Sequence, residues 1–167
     1  VHRPIVAAMA RRGIPFHGVL YAGLMIGAEG PKVLEFNARF GDPETQAVLP
    51  RMRSDLLDLF LAAREPGGLT GATAEFDPDW AVTLVLASAG YPESSSKGDV
   101  IRGLAEAAEL AEVTHAGTAA RDGEIVTAGG RVLNVTGLGP TPAAARDRAY
   151  DAASRISFDG MQIRTDI

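Results

Sequence analysis

The sequence predicts an α+β chain in two parts: a unit of helices around one β-hairpin, then a small β-rich unit closed by a C-terminal helix. Three observations carry this. Apolar residues recur at helical spacing in residues 4–12 and 54–65, whereas residues 18–38 and 81–136 are dominated by short runs of strand formers. A Pro/Gly/Thr stretch, Pro66 to Thr73, interrupts the chain and divides it into residues 1–65 and 66–167. The length of 167 residues, with 46% hydrophobic and 22% charged side chains, is ordinary globular material, enough for one domain or two small ones.

Each element has its own signal. Pro4 suits a first helical turn, and Ile5, Val6, Met9 and Ala10 form an apolar stripe that runs to Arg12 before Gly13 and Pro15 stop it. Gly18 to Ile26 reads as a strand, Gly27-Ala28-Glu29-Gly30 as a hairpin loop and Lys32 to Ala38 as the returning strand. Gly41-Asp42-Pro43 ends that strand, and a short helix follows over Glu44–Leu49. Ser54 is the expected N-cap of the next helix, with Asp55 in its first turn. Leu56, Leu57, Phe60 and Leu61 are its expected core face, and it ends near Glu65. Beyond the linker, Ala81–Ala87 is a buried strand that begins beside a core Trp80, and Gly90–Gly98 is a loop. Further strands are expected at Ala111–His115, Ile125–Thr127 and Val132–Thr136. Thr141-Pro142 opens the last helix as N-cap and first-turn proline, and Asp151 and Arg155 pair on its outer face. Arg146, Arg148 and Arg155 read as a solvated helix face and His115 as a structural corner residue.

Composition excludes several functions. A net charge of −5 argues against a general nucleic-acid binder. The absence of cysteine removes disulfides, thiolate zinc sites and cysteine nucleophiles together and fits a cytoplasmic location. His2, His17 and His115 lack the spacing of a local metal site. No signal segment opens the chain, and its longest apolar run, Ala81–Ala87, is too short to cross a bilayer. The chain begins with Val1 inside what reads as a helix, so a trimmed or partial chain is expected.

The sharpest chemical signal lies in Val33-Leu34-Glu35-Phe36-Asn37-Ala38-Arg39. Alternation in a strand sends Leu34 and Phe36 toward a core and Glu35, Asn37 and Arg39 to the other face, about 6.5–7 Å apart by the strand rise. Carboxylate and amide oxygens suit a hard cation, and a guanidinium suits phosphate. The polar outer face of an amphipathic hairpin has the same alternation.

The unbroken stretch Leu34-Glu35-Phe36-Asn37-Ala38-Arg39-Phe40-Gly41-Asp42-Pro43-Glu44-Thr45-Gln46 closely resembles the signature block of the glycinamide ribonucleotide synthetase family (phosphoribosylamine–glycine ligases, within the ATP-grasp superfamily). Gly18 to Met25, Ser54-Asp55-Leu56, Ala87 to Pro92, Lys97-Gly98, His115 to Thr118, Gly129 to Leu133, Val135-Thr136, Phe158-Asp159-Gly160 and Arg164 to Ile167 resemble further blocks of that family, in the same order. The resemblance implies the C-terminal part of an ATP-grasp domain over residues 1–65 and the ligase's small C-terminal domain over 66–167. It implies a Mg²⁺- or Mn²⁺-dependent reaction in which ATP converts glycine to an acyl phosphate that the amine of 5-phosphoribosylamine attacks. Glu35 and Asn37 then map onto metal ligands, and Arg39 onto the residue that stabilises the transferring phosphoryl group. Asp42 or Glu44 would hold the glycine ammonium, and Lys97 and Arg131, the latter after Gly129-Gly130, would meet the phosphate of phosphoribosylamine.

The chain also departs from the family. The strand before Glu35 offers no acidic ligand ahead of Glu29, which implies fewer protein ligands with water completing the shell. In Ser94-Ser95-Ser96, shortly before the Lys97-Gly98 pair, a serine stands where family members usually have an aromatic residue, which implies a looser loop. The family's N-terminal domain and ATP-clamping lysines have no counterpart, so the missing N-terminal part of the same enzyme is an implied partner, and the chain alone is expected to be inactive. Alternative readings are another ATP-grasp ligase of purine metabolism, or a non-catalytic module reusing the fold.

Overall fold

The computed structural model describes residues 1–167, which form two compact units: Val1–Asp42 with Met52–Phe76, and Pro43–Arg51 with Asp77–Ile167. The chain therefore passes between units at Asp42/Pro43, Arg51/Met52 and Phe76/Asp77, crossings that a single cut at residue 65 does not contain.

The first unit holds helix α1 (His2–Arg11), strands β1 (Tyr21–Gly27) and β2 (Gly30–Asn37), and helix α3 (Leu56–Ala63). β1 and β2 form an antiparallel hairpin closed by the two residues Ala28-Glu29, shorter than the expected four-residue loop. An exposed Lys32–Glu29 ion pair at 2.7 Å lies beside that turn. Gly23 pairs with Glu35 but Leu24 pairs with Val33, so Leu34 is a bulged residue with no partner of its own. Asp55, not Ser54, caps α3: its side chain accepts a 2.8 Å bond from the Leu57 amide. The Ser54 hydroxyl instead accepts from the Glu75 amide at 2.8 Å, and Arg53 N–H donates to the Glu75 carbonyl, which together tie the end of the unit back to its middle.

The expected apolar faces of this unit are not buried. Leu34 is 66% exposed, Leu57 61% and Leu61 51%, and Phe36 and Phe60 are exposed as well. A two-stranded sheet and short helices have too few layers to cover both sides of every element. Every buried apolar side chain belongs to the second unit.

The second unit is built on a three-stranded antiparallel sheet in the order β3 (Trp80–Ala87), β7 (Arg131–Gly139), β4 (Glu112–His115). A separate hairpin pairs β5 (Thr118–Arg121) with β6 (Glu124–Thr127). The sequence signals missed β5 and the short helix α4 (Leu104–Ala108), both dominated by alanine and too brief for a period to show. Helix α5 (Pro142–Ala153) packs on β7 and β3 and buries Ala145, Ala149, Ala152 and Ala153. As expected, Thr141 caps it, accepting from the Ala144 amide at 3.1 Å, and Arg155 pairs with Asp151 at 3.1 Å. Leu84, Leu86, Leu133, Val135, Ile156 and Phe158 complete the core.

Trp80, expected in the core, is 55% exposed. It opens an edge strand, and its cross-strand partner is Gly139, which has no side chain to cover the indole. Helix α2 (Glu44–Val48) and the 3-10 turn Leu49–Arg51 pack against this sheet, and Arg51 and Asp77 exchange backbone and side-chain bonds at 2.7 and 2.9 Å. Thr83 and Thr136, paired across β3 and β7, share a 2.8 Å hydroxyl bond. No helix is long and apolar enough to cross a membrane.

Candidate functional site

β2 presents Glu35 and Asn37 on one face, because the bulge at Leu34 falls before them and the alternation from Glu35 onward is regular. Their cross-strand partners are Gly23 and Tyr21. Gly23 matters for space: a β-carbon there would lie 3.1 Å from Glu35 Cγ, so the missing side chain leaves the Glu35 carboxylate room over the hairpin. No three His, Asp and Glu side chains gather anywhere in the chain. A carboxylate and a neutral amide on adjacent same-face positions are hard oxygen donors that fit Mg²⁺ or Mn²⁺ carrying several waters, and the space opposite Glu35 fits that use.

Arg39 does not extend the row. β2 ends at Asn37, and Ala38 and Arg39 lie in a bend, where Arg39 Nη1 donates to the Phe40 carbonyl at 2.8 Å. The chain turns there toward Gly41-Asp42-Pro43, so a residue two past the strand end no longer follows its pleat. Arg39 instead helps line a cavity of about 410 Å³ with Phe40, Phe60 and Arg64, and the rings of Phe40 and Phe60 meet at 6.0 Å. Asp42 is exposed at the end of this segment. Glu44 is exposed on the second unit as the first residue of α2, where a carboxylate complements the helix dipole.

The second unit carries Arg131 and Lys97. Arg131 opens β7, and its Nε donates to the Tyr91 hydroxyl at 2.9 Å. Both side chains line a cavity of about 340 Å³ together with Pro43, Val85, Gln162 and Arg164. Arg164 is ion-paired to Asp166, which raises the guanidinium pKa and lowers that of the carboxyl through their mutual hydrogen bond. Two guanidiniums and a phenol around one apolar floor suit an anionic ligand with a flat or carbon-rich body. The sequence signals assigned Tyr91 no role; its placement between Gly90 and Pro92 in a polar loop was the available hint.

Lys97 is exposed on the Gly90–Gly98 loop. That loop is tied rather than loose. The Ser96 hydroxyl donates to Asp99 Oδ2, Thr127 Oγ1 donates to the same oxygen at 3.0 Å, and the Asp99 amide donates to Thr127 Oγ1 at 3.0 Å. The Ser96 bond, then the Thr127 bond, hold the Asp99 carboxyl below its ordinary value of 3.8. The Gly98 amide and carbonyl are also bonded, to Thr127 and to Arg121. Ser96, the last of the three serines before Lys97, is a member of this knot. His115 makes a 2.9 Å contact from Nδ1 to the Thr118 hydroxyl at the turn after β4, a local structural bond.

The chain matches two family models: phosphoribosylglycinamide synthetase, C domain, over residues 81–167, and phosphoribosylglycinamide synthetase, ATP-grasp (A) domain, over residues 1–45. It is 54% identical over 166 residues to a protein of Neisseria meningitidis serogroup A named phosphoribosylamine–glycine ligase, covering 98% of this chain and 39% of the relative. Proteins of the same name from Caldanaerobacter subterraneus and Streptomyces coelicolor are each 51% identical, over 99% and 100% of the chain and 39% and 41% of the relative. The crystal structure of phosphoribosylamine–glycine ligase from Thermotoga maritima superposes with a TM-score of 0.80 at 35% identity, over 96% of this chain and 39% of that one. The chain thus spans about two fifths of the length of the relatives it matches.

Proposed function

The chain belongs to the phosphoribosylglycinamide synthetase family, and from that premise we propose that it supplies the C-terminal two fifths of a phosphoribosylamine–glycine ligase. The reaction joins glycine to 5-phosphoribosylamine in two steps. A glycine carboxylate oxygen takes the γ-phosphoryl group of ATP, releasing ADP; the amine of phosphoribosylamine then attacks the acyl carbon, displacing phosphate and leaving glycinamide ribonucleotide once the amine loses its proton.

In this reading residues 1–65 derive from the end of the ATP-grasp part and 66–167 from the C-terminal domain, although Pro43–Arg51 packs with the second compact unit and 66–76 with the first. Glu35 and Asn37 hold Mg²⁺ or Mn²⁺, which when bound offsets the charge of the ATP β- and γ-phosphates. Arg39 faces charge that develops on the transferring phosphoryl group. The carboxylate of Asp42 or of Glu44 binds the glycine ammonium, and Arg131 and Lys97 bind the phosphate of phosphoribosylamine. The N-terminal remainder of the same enzyme supplies the adenine pocket. The enzyme works in the cytoplasm, where its substrates are small soluble metabolites and a cysteine-free chain meets no oxidative demand.

One observation supports the metal assignment above the others: Glu35 and Asn37 share a face of β2 opposite a glycine that leaves the carboxylate room. The test is Glu35→Gln in the ligase that contains this chain. Glycinamide ribonucleotide formation is expected to fall by more than about tenfold and to need more Mg²⁺ for half-maximal rate, since the amide keeps the shape and removes the charge. Full activity with an unchanged Mg²⁺ requirement overturns the assignment.

A further inference from the structure

We propose that Tyr91 is a positioning residue for Arg131, setting the direction in which that guanidinium meets a phosphate. The proposal rests on the reading of Arg131 as a phosphate ligand and adds the group that aims it.

Two features of the corner between β3 and β7 point to this. The Tyr91 hydroxyl accepts the Nε–H of Arg131 at 2.9 Å, a bond between residues 40 apart in sequence. A guanidinium is planar, so a bond at Nε fixes the plane and with it the direction of both Nη groups. The Tyr91 ring is itself fixed from below. It lies against Gly130, where a β-carbon would come 2.5 Å from Tyr91 Cδ2, so only glycine at that position admits the ring.

The backbone closes the arrangement. Ser88 donates its amide to the Gly130 carbonyl at 2.8 Å, and the Tyr91 amide donates to the Ser88 carbonyl at 3.3 Å. Ser88 is fully buried. Ser88, Gly130, Arg131 and Tyr91 therefore form a circuit of hydrogen bonds and ring contact in which each member restrains the next. A long arginine otherwise loses much rotamer freedom on meeting an anion, and a side chain held beforehand loses less. Tyr91 and Arg131 line the same cavity of about 340 Å³, which places the aimed guanidinium at a ligand-sized space.

The probe is ribose 5-phosphate, titrated into the ligase that contains this chain and read by NMR on the arginine Nε–Hε signals, which also report whether each variant is folded. The Arg131 Nε–H is expected to exchange slowly with solvent and to shift on saturation. Tyr91→Phe keeps the ring on Gly130; it is expected to remove that protection and to weaken binding about tenfold, roughly the worth of one hydrogen bond to a charged group. Arg131→Ala is expected to abolish binding, and adding Tyr91→Phe to it to change nothing further. Unchanged exchange and affinity in Tyr91→Phe, with Arg131→Ala still defective, overturns the positioning role alone. Full binding by Arg131→Ala, or none by the parent ligase, overturns the phosphate reading and the positioning role with it.

Discussion

Asp99 shows what a single carboxylate does in this chain. Its Oδ2 gathers the Ser96 and Thr127 hydroxyls while its amide donates back to Thr127, so one residue ties the loop bearing Lys97 to the end of β6. These bonds favour the ionised form, so the carboxyl titrates below 3.8 in the folded chain. Stability from this knot is present above the ordinary carboxylate value and is lost only as pH falls through the lower folded value. The Asp99 carboxyl carbon, followed by NMR, is therefore expected to show a midpoint below 3.8, and the Ser96 amide to lose exchange protection through the same range. A midpoint at or above 3.8 contradicts the knot. At this scale the sequence was partly legible. Glu35 and Asn37 were readable as a same-face pair because period-2 alternation needs only local information. The same rule misplaces Arg39, since nothing local marks the strand as ending at Asn37. The bond from Arg131 to Tyr91 was beyond reach, because its partners lie 40 residues apart and meet only when β3 and β7 pair.

Helix α5 packs closely on strand β7. Helix and strand approach so closely that a β-carbon on Gly137 would lie 2.2 Å from the Ala145 carbonyl oxygen and 2.6 Å from the Ala149 nitrogen. These are backbone atoms of a helix and cannot step aside singly. Gly137→Ala is expected to push α5 off the sheet and to cost at least about 2 kcal/mol of stability, visible as a lower urea midpoint. A variant as stable as the parent shows that the helix docks less closely. The elements of this unit were largely legible, because Thr141-Pro142 is a strong start signal and AVTLVLA a strong strand signal. The cap of α3 was not: Ser54 and Asp55 are both good caps, and the Glu75 amide, distant in sequence, takes the serine. Helical spacing predicts Leu57, Phe60 and Leu61 as core, yet they are exposed, because spacing reports amphipathicity but not which layer a face meets.

Across the molecule, apolar burial is uneven. The second unit owns the buried core, while the first exposes Met25, Ile26, Leu34, Leu57 and Leu61, each more than half accessible. The first unit is expected to melt at a lower temperature than the second, giving two transitions by calorimetry, and to bind a dye such as ANS before heating. One sharp transition with no dye binding contradicts this. The fold class was legible from composition and periodicity, whereas the assignment of residues to units was not, because contacts rather than order decide it. That assignment has a consequence for how the protein is made. Pro43–Arg51 packs with a sheet whose first strand begins only at Trp80 and whose central strand begins only at Arg131. On the ribosome this segment emerges long before the surface it docks on. It must wait, tethered on both sides to the first unit, until β7 has been translated. A chain started at Asp77 would build that sheet without this cover, so the C-terminal unit as it stands here is not one continuous stretch of the gene.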